Sequence, residues 1–138
     1  MKTILKSRIT QMMCFWAVVG CCYSCGYQRH DNWQGGKIVR TGEYNFAKGG
    51  YKIVVTNEDH LIRYRLLNSN GDTVIRSNDN ISSFQTWALY LDSVGNLWAL
   101  SSDIGDAVWR QSVDGKYKKE FITDSSLRNT IPAEIRRR

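Results

Sequence analysis

Three kinds of residue in this 138-residue chain have types and spacings that point to chemistry. Cys21, Cys22 and Cys25 crowd into Ala17-Val18-Val19-Gly20-Cys21-Cys22-Tyr23-Ser24-Cys25-Gly26, and thiols there can ligate a metal, pair as a disulfide or carry an acyl group. Trp87, Trp98 and Trp109 recur at intervals of 11 residues, one in each of three successive apolar segments. Such a row of indoles stacks on sugars or peptides when open and fills a core when covered. Asp92, Asp103, Asp106 and Asp114 fall in the polar breaks between those segments. Paired carboxylates can work as general acid and base or hold calcium, but aspartate is also an ordinary turn residue.

Most of these chemistries lack a second component. Cys22 and Cys25 have C-x-x-C spacing, yet no second Cys/His pair completes a zinc site, and His30 and His60 stand alone. None of the aspartates sits in the D-x-[DN]-x-[DN]-G pattern of a calcium loop. Ser101-Ser102-Asp103 has no G-x-S-x-G elbow, and Gly35-Gly36 and Gly49-Gly50 are not followed by Lys-Ser/Thr. No catalytic residue, metal site or cofactor is therefore expected.

The amino terminus is more specific. Lys2, Lys6 and Arg8 lie in the first ten residues with no acid, and Gln11 to Gly20 is then almost wholly apolar. A basic region, a short apolar region and a small residue before a break are the parts of a secretory signal. Residues 12–26 are too few for a membrane-spanning helix, which needs about 20. Val18-Val19-Gly20-Cys21 resembles the lipobox of bacterial lipoproteins. The resemblance implies acylation of the Cys21 thiol, cleavage before it, and a lipid-anchored mature protein beginning at Cys21. Cys22, rather than aspartate, in the next position implies outer-membrane sorting, facing the periplasm. The membrane is thus one expected partner.

Domain organisation follows. Residues 1–20 are read as the signal, 21–36 as a flexible tether, 37–122 as an all-β domain, and 123–138 as a C-terminal segment with a basic tail. The domain shows short apolar–polar alternations over 37–44, 51–56, 60–67, 73–77, 84–91, 96–102, 107–111 and 117–122, separated by Gly, Asn and Asp clusters. Breaks this short exclude crossover helices, so neighbouring strands should pair antiparallel. The expected fold is one meander of about eight strands, closed as a barrel or folded as a sandwich, with a short C-terminal helical turn capped by Thr130. In His60–Leu67, Ile62, Tyr64 and Leu66 should face a dry side and Arg63 and Arg65 a wet one.

Two echoes accompany this pattern. Gly71-Asp72-Thr73-Val74-Ile75-Arg76 reappears as Gly105-Asp106-Ala107-Val108-Trp109-Arg110, through duplication or through the narrow vocabulary of hairpins. Asp92-Ser93-Val94-Gly95-Asn96-Leu97-Trp98 looks like the opening of one β-propeller repeat, although the length excludes a complete propeller.

The formal charge of +6 sits at the two ends, and between Cys21 and Ile135 basic and acidic residues balance. Without a basic body, no nucleic-acid partner is expected. The reading that remains is a lipid-anchored, non-enzymatic module binding a protein or a glycan, with Trp87, Trp98 and Trp109 as candidate contacts. Its rivals are a small envelope hydrolase using the loop aspartates and a structural subunit whose sheet edge pairs with neighbours.

Overall fold

The computed structural model describes residues 26–136, which form ten strands and two short helices. The first sheet holds β1 (Gln28–Trp33), β2 (Gly42–Phe46), β3 (Lys52–Glu58), β4 (Leu61–Leu67) and β5 (Thr73–Arg76) in that order, and β6 (Ile81–Ser82) pairs with the start of β4. The second is a four-stranded antiparallel meander of β7 (Trp87–Leu91), β8 (Leu97–Ser101), β9 (Ala107–Gln111) and β10 (Tyr117–Phe121). The fold is all-β, as its alternating pattern implies.

The two sheets share one core instead of closing into a barrel. Tyr44, Ile53, Val55, Ile62, Tyr64, Leu66 and Ile75 meet Leu89, Leu91, Leu97 and Ala99, all buried. Arg63 and Arg65 point to the wet side of β4, as its alternation requires. Ile38, fully buried, exchanges two backbone hydrogen bonds with Leu89 (2.8 and 2.9 Å) and so joins the lead into β2 to the edge of the second sheet.

The far face of the second sheet is covered as well. Ala88, Trp98, Leu100 and Val108 pack beneath Ile122, Ile131 and Ile135 of the C-terminal segment. That segment makes two single-turn helices, α1 (Ser125–Arg128) and α2 (Ala133–Arg136), too short to persist in water without this packing. Asp124 caps α1 by accepting the Ser126 N–H at 3.0 Å, whereas the Thr130 hydroxyl donates to Leu127 O at the end of that helix. The expected Thr130 cap is thus replaced: Pro132 immediately precedes α2, and its carbonyl accepts from Ile135 N and Arg136 N (3.0 and 3.1 Å).

Three hairpins use one turn. In 68–72, 92–96 and 112–116 the first residue donates to the fifth carbonyl, and the fourth, a glycine, donates back to the first. Gly71, Gly95 and Gly115 all have φ near +80 to +88, the left-handed position of a type I turn with a bulge. The propeller-like opening at Asp92 is one of the three. Gly105, by contrast, belongs to the connection at the other end of the second sheet, so the two echoed hexapeptides occupy unlike turns.

The principal departure is β1. Residues 28–33, expected within a tether, form a strand pairing parallel with β2. QRHDNW lacks alternation because only one edge and two side chains are engaged. His30 stacks on Tyr44 with centroids 4.6 Å apart, and Trp33 meets the same ring edge-on at 5.0 Å. Close approach is possible because residue 42 has no side chain: a Cβ there would lie 2.3 Å from the Gln28 carbonyl oxygen. Gly42→Ala should therefore displace β1 and cost about 1–3 kcal/mol in urea unfolding, with new proteolytic cleavage in residues 28–33. A loss below about 0.5 kcal/mol and an uncleaved β1 would show that this contact does not hold the strand.

Candidate functional site

The three tryptophans do not form a row. Both hairpins pair residues of like parity, Tyr90 with Trp98 and Leu97 with Trp109, so an interval of 11 turns each successive ring to the opposite face. Trp98, 2 % exposed, lies under the C-terminal segment, donates to Asp92 Oδ2 at 2.9 Å and carries the Arg110 guanidinium 5.5 Å from its ring. Trp87 and Trp109 face inward and are half-buried against the shared core. Of the two readings open for Trp87, Trp98 and Trp109, open platform or core, the rings take the second: two face the shared core and one lies beneath the C-terminal segment. Cys21 lies outside the described residues.

The loop aspartates brace turns. Asp92 accepts from Val94 N, Asn96 N, Asn96 Nδ2 and Trp98 Nε1, all within 3.1 Å. Asp103 accepts from the Ser101 hydroxyl and from Ser82 N and Ile104 N (2.9 and 3.0 Å), and Asp106 accepts from Ser101 N at 3.1 Å. The Ser101 hydroxyl above all, followed by backbone donors, holds the Asp103 carboxyl below the usual range, and the Ser112 hydroxyl does the same for Asp114. A lowered pKa makes a poor general acid. Asp92 and Asp114 also stand at one end of the second sheet, with Asp103 and Asp106 at the other. His60 forms the β3–β4 turn with Asp59 at positive φ (65 and 50°), its ring 4.8 Å from that of Phe84.

What the fold does bring together is a polar clasp between the sheets. Residues 77–80 link β5 to β6 within the first sheet, and Asp79 turns inward there. Trp109 Nε1 donates to Tyr64 Oη at 3.0 Å, Tyr64 Oη donates to Asp79 Oδ2 at 3.0 Å, and Lys119 Nζ pairs with Asp79 Oδ1. The Lys119 and Asp79 side chains are only 17 and 9 % exposed, so the pair is largely withdrawn from water. Burial, with the Asp79 charge next, drives the Tyr64 phenol far above its ordinary pKa of 10.0.

On the outer face of the first sheet the same segment walls a groove of about 370 Å³, lined by Val54, Thr56, Glu58, Arg63, Arg65 and Arg76 among others. One ladder rung runs Arg29, Glu43, Val54, Arg65, Arg76 across β1 to β5. At the β1–β3 side charges are matched: Arg29 with Asp31 at 3.0 Å and Lys52 with Glu43 at 3.6 Å. At the β4–β5 side Arg65 directly faces Arg76, and among the described residues neither has a hydrogen-bond or ion-pair partner. Arg63, two residues along β4, donates only to the Asp79 carbonyl. Like charges directly opposite destabilise a sheet, so this juxtaposition has a cost.

The pairing was hidden by a register shift. Leu67 faces Thr73 but Leu66 faces Ile75, which leaves Val74 as an extra residue and brings Arg76 opposite Arg65. The alternation of Arg63 and Arg65 was the only sequence signal. Comparison with known proteins adds no assignment, since no family model, curated protein or solved structure matches the chain.

Two expectations follow for the clasp. Asp79→Ala strands Lys119 and the Tyr64 hydroxyl and should cost about 3 kcal/mol in urea unfolding; Tyr64→Phe should cost about 1 kcal/mol. Because the folded pKa of Tyr64 is raised, its contribution is complete below pH 10.0 and is lost as pH climbs beyond that value. The alkaline fall in stability should consequently be shallower in Tyr64→Phe, and an unchanged profile would count against the buried phenol as its source.

Proposed function

We propose that the chain is a lipid-anchored binding module of a Gram-negative cell envelope, held through Cys21 at the outer membrane facing the periplasm, without catalytic activity of its own. The observation that carries the binding role is the groove across β3 to β5, where Arg65 and Arg76 oppose each other with no counter-ion among the described residues. A fold accepts such a repulsive pair where a ligand resolves it.

The anchoring half of the reading comes from Val18-Val19-Gly20-Cys21. Only six residues separate Cys21 from the first residue of β1, and a chain of that length reaches about 25 Å at most. An anchored domain would thus stand close to the bilayer. The rival hydrolase is disfavoured because the loop aspartates are engaged in holding turns. The rival sheet-edge subunit is disfavoured by β10, whose open edge carries Lys118, Lys119 and Glu120, residues that discourage strand addition.

Growth of the native cells with a clickable fatty acid tests the anchor. The full chain should take up the label and sediment with membranes, and Cys21→Ala should lose both. Equal labelling of Cys21→Ala would overturn the anchoring.

A further inference from the structure

The charge and donor geometry of the groove indicate which ligand resolves the opposed arginines. Arg63, Arg65 and Arg76 contribute three positive charges and Glu58 one negative charge, leaving +2. The other nearby acids are engaged: Glu43 with Lys52 and the Tyr27 hydroxyl (3.2 Å), and Asp79 with Lys119 and Tyr64. Directly opposite residues in a ladder have Cα atoms about 5 Å apart, and alternate residues of one strand about 6.6 Å apart. Three long side chains rooted so closely can converge on one group. Guanidinium forks match oxyanions and give two parallel hydrogen bonds each.

We propose that Arg63, Arg65 and Arg76 form a binding site for a phosphate group, with Arg65 and Arg76 as its paired clamp. A carboxylate offers one charge and two oxygens, which two of the three guanidiniums would exhaust. A terminal phosphate offers close to two charges and three oxygens, matching the net +2 and the three forks. Val54, 6 % exposed, gives the groove an apolar floor between β2 and β4. The Thr56 hydroxyl donates to Glu58 at 3.0 Å, which holds that carboxylate on its own strand, two residues along β3. Thr56 and Asn78 line the same groove as the three arginines, so polar groups accompany the cations there.

This assignment rests on the binding-module reading but not on the lipid anchor, so acylation of Cys21 is scored separately by mass spectrometry. The phosphate itself has two sources, a soluble phosphorylated compound or a lipid headgroup. The full chain in detergent is titrated with inorganic phosphate, glycerol 3-phosphate and succinate, and its Cys21→Ala form, which no acyl chain can float, is floated with vesicles of phosphatidylcholine with or without phosphatidic acid. The wild type should bind the two phosphates and show a raised melting temperature in their presence. Arg65→Gln with Arg76→Gln should weaken that binding by about tenfold or more. Freed of the like-charge contact, the double variant should also melt about 2 °C higher than the wild type without ligand, which shows that it is folded. Arg29→Gln, outside the groove, should leave binding unchanged. Flotation that needs phosphatidic acid and the two arginines assigns the lipid source, whereas glycerol 3-phosphate binding without flotation assigns the soluble one. Undiminished binding by the folded double variant, equal affinity for succinate, or no binding of any phosphate probe would overturn the proposal.

Discussion

The Asp79 carboxylate is the point on which both halves of the molecule depend. It lies in the link between β5 and β6 of the first sheet, and it is reached from β4 by Tyr64, from β9 through Trp109 and from β10 by Lys119 of the second sheet. A charge so withdrawn from water is tolerable only with a charged partner and donors to its remaining lone pairs, and here it has both. Apolar contact alone would let two flat faces slide across each other. A directional clasp at one side, set against the Ile38–Leu89 backbone bridge at the other, fixes how they stack. The same residue's carbonyl receives Arg63, so the group that locks the core also places one wall of the cationic groove outside it.

The outer groove and the inner core are thus two faces of one strand. Along β4 each inward residue packs the core, and each arginine between them is carried outward by the pleat. Nothing about Tyr64 or Leu66 requires arginine at 63 and 65, since Thr or Lys would keep the alternation. The choice of arginine, opposed on β5 by another, is the local feature that packing does not explain. Charge segregation across the sheet sharpens it: acids accompany the cations of β1 to β3 and are scarce beside those of β4 and β5. A chain whose basic and acidic residues balance between Cys21 and Ile135 can still present a strongly positive spot once register is set.

Much of the fold was legible because short strands and glycine turns leave local signatures. Asp92 through Asn96 declares its hairpin, and the dry face of β4 can be read directly from Ile62, Tyr64 and Leu66. β1 was not legible, since its stability comes from residue 42 and from Tyr44 rather than from its own pattern. The tryptophan row failed for a reason of parity. Strand-plus-turn length suggested that residues 11 apart are lateral neighbours, but both hairpins, β7–β8 and β8–β9, pair like parities, so only even intervals stay on one face. The candidate site suffered from the same arithmetic in reverse. A single extra residue at Val74 changes the parity between β4 and β5, and without knowing of that bulge Arg76 cannot be assigned to the rung of Arg65.

That bulge links local backbone to the cationic groove more directly than any motif in the chain. With regular pairing continued from Leu67 and Thr73, Leu66 would face Val74, Arg65 would face Ile75, and an isoleucine now buried in the core would be turned out to solvent. The extra residue restores Ile75 to the inside and, by the same shift, places Arg76 on the outside against Arg65. The core requirement of β5 and the cationic pair therefore arise from one irregularity. Removing the bulge to relieve the repulsion would expose Ile75, and keeping it leaves two guanidiniums opposed. The hydrophobic term is the larger: burying an isoleucine contributes about 1.5–3 kcal/mol against some tenths to 1 kcal/mol for a like-charged cross-strand pair. The fold holds its register for the core, and the groove inherits its charge from that choice.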